Sequence, residues 1–149
     1  MRQYEINETP SIVAESALAY DKKHTVEELI HFDGIKLLEV SGSFLDEVIK
    51  LTSLNVLDLA EILEISKPNY YRKRQEKNLD LKTIDKLASL LKIYNQGLEA
   101  FGSLTDFNRW LTQENLHLGN RPPRLFLKTE GGRARLHQAI GRIEHSIYG

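Results

Sequence analysis

The sequence predicts an all-α chain: multiple helices, with a helix-turn-helix-like module followed by a further helical domain. Three observations carry that expectation. Apolar residues recur at steps of three and four, the spacing that lines one face of a helix. Residues that cap helix N-termini stand just ahead of those runs. Within residues 55–75 a short basic segment follows an apolar helical one across a tight turn.

The elements follow in order. Thr9 then Pro10 reads as a cap with a proline in the first turn, where the missing N–H removes no helical hydrogen bond. Ile12, Val13, Ala17 and Tyr20 supply a short apolar stripe. Thr25 and Glu28 have capping-box spacing ahead of Leu29, Ile30 and Phe32, and Gly34 ends that helix. Residues 35–40 are short and apolar, and fit strand or helix equally. Ser43 is placed to cap a helix carrying Phe44, Leu45, Val48, Ile49 and Leu51. Asn55 is placed to cap one bearing Val56, Leu59, Ala60, Ile62 and Leu63, and a second helix runs from Ser66 toward Gln75. Leu81, Ile84, Leu87, Ala88, Leu91, Tyr94, Leu98 and Phe101 describe one long amphipathic helix with Asp80 as its cap. Gly102 and Ser103 break the pattern. A short helix over 106–111 turns Phe107, Trp110 and Leu111 inward; Trp110, the single tryptophan, is expected in a core with Phe101 and Phe107. Residues 118–126, LGNRPPRLF, read as loop by composition. Thr129 caps a last helix carrying Leu136, Ile140, Ile143 and Ile147.

These elements group as an N-terminal helical region (1–53), a helix-turn-helix module with its long following helix (54–101), and a C-terminal domain (102–149). No internal repeat or low-complexity tract is visible. At 149 residues, 41% hydrophobic and 28% charged, the chain fits a soluble globular protein of one ordinary or two small domains. It has no cysteine, which excludes disulfides and thiolate zinc sites. No apolar run approaches the roughly 20 residues that span a bilayer, and no secretory leader pattern opens it. A cytoplasmic protein with no membrane role is expected.

The net charge of −1 conceals an asymmetry. Residues 1–53 carry five Lys/Arg against ten Asp/Glu, residues 54–118 nine of each, and residues 119–149 six against two. An acidic front and a basic tail suggest segments with different partners.

In residues 55–75, NVLDLAEILEISKPNYYRKRQ, Val56, Leu59, Ala60 and Leu63 share one face. Ala60 suits a close helix crossing, and Ile65 is the apolar plug of the turn. The following helix has the proportions of one that enters a DNA major groove. Its candidate DNA-binding residues are Ser66, Lys67, Asn69, Tyr70, Tyr71, Arg72, Lys73, Arg74 and Lys77. Asparagine can pair with the adenine edge and arginine with guanine; Ser66, Lys67 and Tyr71 suit phosphates, which position without specifying. One of Tyr70 and Tyr71 packs inward, because neighbours on a helix point about 100° apart. The turn Glu64-Ile65-Ser66 lacks the glycine that many such turns have. The plainer alternative is an ordinary helical hairpin with a basic solvated face.

The C-terminal third carries a combination of short motifs: Phe101-Gly102, Trp110-Leu111, Leu118-Gly119 with Pro123, Thr129-Glu130 with Gly132, and GRIEH from Gly141 to His145. Together with the helix-turn-helix they resemble the Xre/MbcA/ParS antitoxins over roughly residues 55–149. Arg124 and Leu125 depart from that pattern, and Ser146 stands where a glycine usually follows the histidine. The resemblance implies a helix-turn-helix unit followed by a toxin-binding domain. It also implies a RES-domain toxin partner, an enzyme that consumes or transfers ADP-ribose from NAD, whose active-site cleft receives the antitoxin's C-terminal end. On that reading Arg142, Ile143, Glu144, His145, Ile147, Tyr148 and Gly149 are the toxin-binding residues, the apolar ones serving as anchors. The same helix is expected to pack on its own core through Leu136, Ile140 and Ile143.

No catalytic pattern stands out. Gly131-Gly132 is not followed by a phosphate-loop lysine. His24, His31, His117, His137 and His145 show no two-histidine metal spacing. A non-enzyme without cofactor or metal is expected, with operator DNA as a further partner and a homodimer to match a palindromic operator. The rival reading is a plain helix-turn-helix regulator whose C-terminal domain only dimerises.

Overall fold

Each helix that follows a capping side chain begins where that side chain can accept a hydrogen bond from an N–H of the first turn. In a computed structural model describing residues 40–148, every regular element is helical. The helices expected within residues 1–39, and Gly149, lie outside the described residues, and for Ile147 and Tyr148 only the backbone is described. Helix α1 is Phe44–Thr52, α2 Val56–Leu63, α3 Lys67–Lys73, α4 Leu81–Phe101, α5 Leu104–Thr112 and α6 Glu130–Tyr148, with 3-10 helices at Leu116–Leu118 and Pro123–Lys128.

Asn55 caps α2 by accepting from the Asp58 N–H at 2.8 Å, while Asp58 reaches back to the Asn55 N–H, a reciprocal capping box. Asp80 caps α4 through the Thr83 N–H (3.1 Å), Ser103 caps α5 through the Asp106 N–H (3.1 Å), and Thr129 caps α6 through the Gly132 N–H (2.9 Å). Ser43 does not cap α1 in this way. Its backbone is already helical (φ −62, ψ −20), and its hydroxyl lies 2.6 Å from that of Ser41. The stretch 118–126 is not plain loop either. Pro123 fixes the start of a 3-10 helix that buries Pro123 and Leu127.

Packing organises around α4. Ile84, Leu87, Leu90, Leu91, Ile93 and Tyr94 on this one helix are fully buried. One hydrophobic core joins Phe44 and Val48 of α1, Leu59 and Ile62 of α2, and Leu136 and Ile140 of α6. The helix-turn-helix and the C-terminal helices therefore share a single interior.

The tightest joint lies between α4 and α5. Gly97 has no side chain, and the Phe107 ring occupies the space: a Cβ at Gly97 would sit 2.5 Å from that ring. Phe107 meets Tyr94 edge-on (centroids 5.2 Å), lies 5.6 Å from Phe101 and stacks on Trp110 at 5.9 Å. Trp110 is half-buried at the rim of this aromatic cluster. A second joint is polar. The buried Arg133 of α6 donates from Nε to Ser89 Oγ on α4 (2.9 Å) and from Nη1 to the Leu127 carbonyl (2.6 Å). Ion pairs Lys128–Glu61 (2.6 Å) and Arg124–Asp58 (3.9 Å) tie the second 3-10 helix to α2; at such exposure each contributes only a few tenths of a kcal/mol.

The turn without a glycine takes a glycine's conformation. Glu64 closes α2 at φ +60 in the left-handed region, which costs a side-chain-bearing residue about 1–2 kcal/mol. Its exposed carboxylate meets Lys86 at 3.3 Å.

Three outcomes are expected. Gly97→Ala should lower stability by about 1–3 kcal/mol in urea denaturation, because the new methyl overpacks against a ring with no room to retreat. Glu64→Gly should raise it by about 0.5–1 kcal/mol, the relieved strain being partly offset by glycine's greater freedom when unfolded; a loss would contradict the strain argument. The third concerns His137, whose Nδ1 is hydrogen-bonded to Gln96 Oε1 while Gln96 Nε2 donates to the His137 carbonyl at 3.2 Å. Burial, and then Lys92, pull the imidazole pKa below its ordinary 6.5. The unfolded chain then takes up the proton more readily, so this contribution to stability is lost as pH falls below about 6.5. Denaturation midpoints between pH 7.5 and 5.5 should fall more steeply for the wild type than for His137→Gln.

Candidate DNA and protein interfaces

The basic helix α3 is held at both ends. Ser66 caps its start by accepting from the Asn69 N–H at 3.2 Å, and Pro68 occupies the first turn. Tyr70 anchors its middle with no solvent exposure. At its C-terminal end, the Gly42 N–H donates to the Glu76 carbonyl (2.8 Å) and the Leu79 N–H to the Val40 carbonyl (2.7 Å). Gly42 lies so close to the Lys73 and Arg74 carbonyls that any Cβ there would collide with them.

This anchoring sorts the nine candidate DNA-binding residues. Tyr70 is removed from the set. It is the inward tyrosine of the pair, a core residue whose hydroxyl burial pushes up to about 12. Ser66 is engaged as the cap, although its hydroxyl is exposed. Lys73 donates to Asp80 at 2.8 Å, and that hydrogen bond holds the Asp80 carboxyl well below the usual carboxylate range. Arg74 Nη2 donates to Asp46 at 3.2 Å, and its guanidinium lies 5.8 Å from the Tyr71 ring centroid. Half-buried and committed to carboxylates, Lys73 and Arg74 brace the helix rather than extend from it. Lys67, Tyr71, Arg72 and Lys77 are exposed, and Asn69 is half-buried on the first turn. Cations and an amide presented from α3 and the turn that follows it can meet phosphate oxygens and base edges.

The second surface is the far end of α6. Leu136, Ala139 and Ile140 face the core. Ile143 and Glu144 are half-buried, with Gln96 Nε2 donating to Glu144 at 3.4 Å. Arg142 and His145 are exposed. The side chains of Ile147 and Tyr148, and the whole of Gly149, lie outside the described residues. Beside Ile143 is a shallow groove of about 300 Å³, lined by Asn115, His117, Ala139, Arg142, Ile143 and Ser146. Its 115–117 wall was not singled out from the sequence. The pair Asn115 and Gly119, a cap residue and a left-handed glycine at φ +70, is the local signal that marks the turn.

The C-terminal motifs have structural causes. Gly132 approaches the Phe126 carbonyl too closely for any side chain, and Thr129 caps the helix at that point.

Residues 45–94 match the Cro/C1-type helix-turn-helix DNA-binding domain. Residues 96–145 match the antitoxin Xre/MbcA/ParS C-terminal toxin-binding domain. No curated protein matches the chain. Both matched domains are of binding rather than catalytic kinds, and they meet inside α4. With a helix-turn-helix domain running through one continuous helix into a toxin-binding domain, the chain belongs to the Xre-type antitoxins.

Proposed function

We propose that this antitoxin neutralises a RES-domain toxin with the C-terminal end of α6, and represses its own promoter through α3. It works by binding alone, without catalysis or cofactor, in the cytoplasm. The observation that supports this reading is that the match to a helix-turn-helix DNA-binding domain and the match to a toxin-binding domain meet on α4. The toxin contacts fall on Arg142, Ile143, Glu144 and His145 and continue through Ile147, Tyr148 and Gly149. Exposed Arg142 and His145 beside half-buried Ile143 support this, since an apolar anchor with a polar rim is what a protein partner covers. Dimerisation is one role open to the N-terminal region ahead of α1, and a palindromic operator would suit it.

Operator binding rests on Lys67, Asn69, Tyr71, Arg72 and Lys77. Arg72→Ala should weaken it by about tenfold or more and reduce the slope of log K against log salt by about 1, with toxin affinity unchanged. Arg74→Ala should act differently, lowering thermal stability through the lost Asp46 pair.

For the toxin, isothermal titration of the full chain and of one truncated after His145 against a RES-domain toxin is the direct test. Cutting there preserves Ala139 and Ile140, which are core. The truncated chain should stay folded and bind at least tenfold more weakly. If neither chain binds the toxin while operator DNA is still bound, the protein is a plain regulator.

A further inference from the structure

We propose that the toxin interface extends beyond the end of α6 onto a rigid apolar knob, Leu116, with the adjacent groove as its second half. This rests on the reading of the C-terminal domain as the toxin's seat. Leu116 is 78% exposed, the most exposed large hydrophobic side chain among the described residues. A single exposed leucine is ordinary; the way this one is held is not. Its 3-10 turn is fixed by the Asn115 side chain, which accepts from the His117 N–H at 2.8 Å. The Asn115 carbonyl accepts from both Leu118 N–H (3.0 Å) and Asn120 N–H (2.9 Å), and the Asn115 N–H donates to the Arg121 carbonyl (3.2 Å). Leu118, two residues on, is buried and plants the turn in the core. The turn therefore presents Leu116 with little ordering entropy left to lose, which favours binding.

The surroundings point to one occupant. The neighbouring residues Asn115 and His117 line the groove with Ile143 and Arg142, so the knob continues the surface of α6 already assigned to the toxin. The knob and groove also lie inside the span matched to a toxin-binding domain. The charge of the tail adds the partner's character. Of the six Lys/Arg in residues 119–149, Arg133 is buried and Arg124 and Lys128 face Asp58 and Glu61, which leaves Arg121, Arg135 and Arg142 exposed. The matching toxin surface is an apolar pocket with an acidic rim, which receives Leu116 while the rim faces these arginines.

The test uses the full chain and a RES-domain toxin, with three antitoxins compared by isothermal titration: wild type, Leu116→Asp and Leu116→Met. Because the side chain is exposed, all three should melt at similar temperatures by circular dichroism. Leu116→Asp should weaken toxin binding by at least tenfold, through both the lost apolar contact and repulsion from the acidic rim. Leu116→Met should keep affinity within about threefold. Equal affinities for all three, with the wild type binding, would overturn the knob while leaving the toxin reading intact. No binding by the wild type would overturn both. Light scattering of the free antitoxin covers the other occupant: if Leu116→Asp changes its mass in solution and leaves toxin affinity unchanged, the knob is covered by a second copy, and the proposal fails.

Discussion

The contact between Phe107 and Gly97 decides how the two halves of this antitoxin sit together. A glycine inside a 21-residue helix costs about 1 kcal/mol of helix propensity relative to alanine. That cost is offset by what the missing side chain admits: a fully buried phenylalanine seated against the helix and ringed by Tyr94, Phe101 and Trp110. Through this cluster α5 is fastened to α4. Tyr94 then carries the joint to the other side of the helix bundle, where its hydroxyl donates to the Thr52 carbonyl at the end of α1. Toxin-binding and DNA-binding segments are thus two ends of one core.

That arrangement has a consequence for how the surfaces work. The basic helix α3 is braced by Lys73–Asp80 and Arg74–Asp46, and by the close approach of Gly42 to its last carbonyls. The C-terminal helix α6 is bolted by Arg133 to α4 and to the Leu127 carbonyl.

Most of what could be read locally was read well. Asn55, Asp80 and Thr129 cap helices through N–H groups only three residues away, so residue type and spacing suffice to find them. The long α4 announces itself through apolar residues that recur three or four positions apart from Leu81 to Phe101. Two local readings failed, the Ser43 cap and the plain loop over 118–126; the other misses depended on distant residues. Nothing near Arg74 in sequence says that Asp46, 28 residues earlier, will hold it. Two of the cations counted on and beside α3, Lys73 and Arg74, are therefore engaged with carboxylates of the chain itself. The alternation of Tyr70 and Tyr71 required one to be inside, but only the packed core selected Tyr70. Leu116 escaped notice because an isolated leucine in a polar stretch has no periodicity, and its exposure follows from the turn that Asn115 closes.

By itself, then, the sequence determined the helical class, most helix starts, the helix-turn-helix and the family combination, because caps, periodicity and short motifs are encoded within a few residues of where they act. Tertiary structure alone decided which cations remain outward on α3, why Gly42, Gly97 and Gly132 are glycines, and where the apolar knob beside α6 stands. Those outcomes follow from backbone approaches and ion pairs between segments far apart in the chain. No local pattern encodes such a contact; it exists only once the shared core has drawn those segments together.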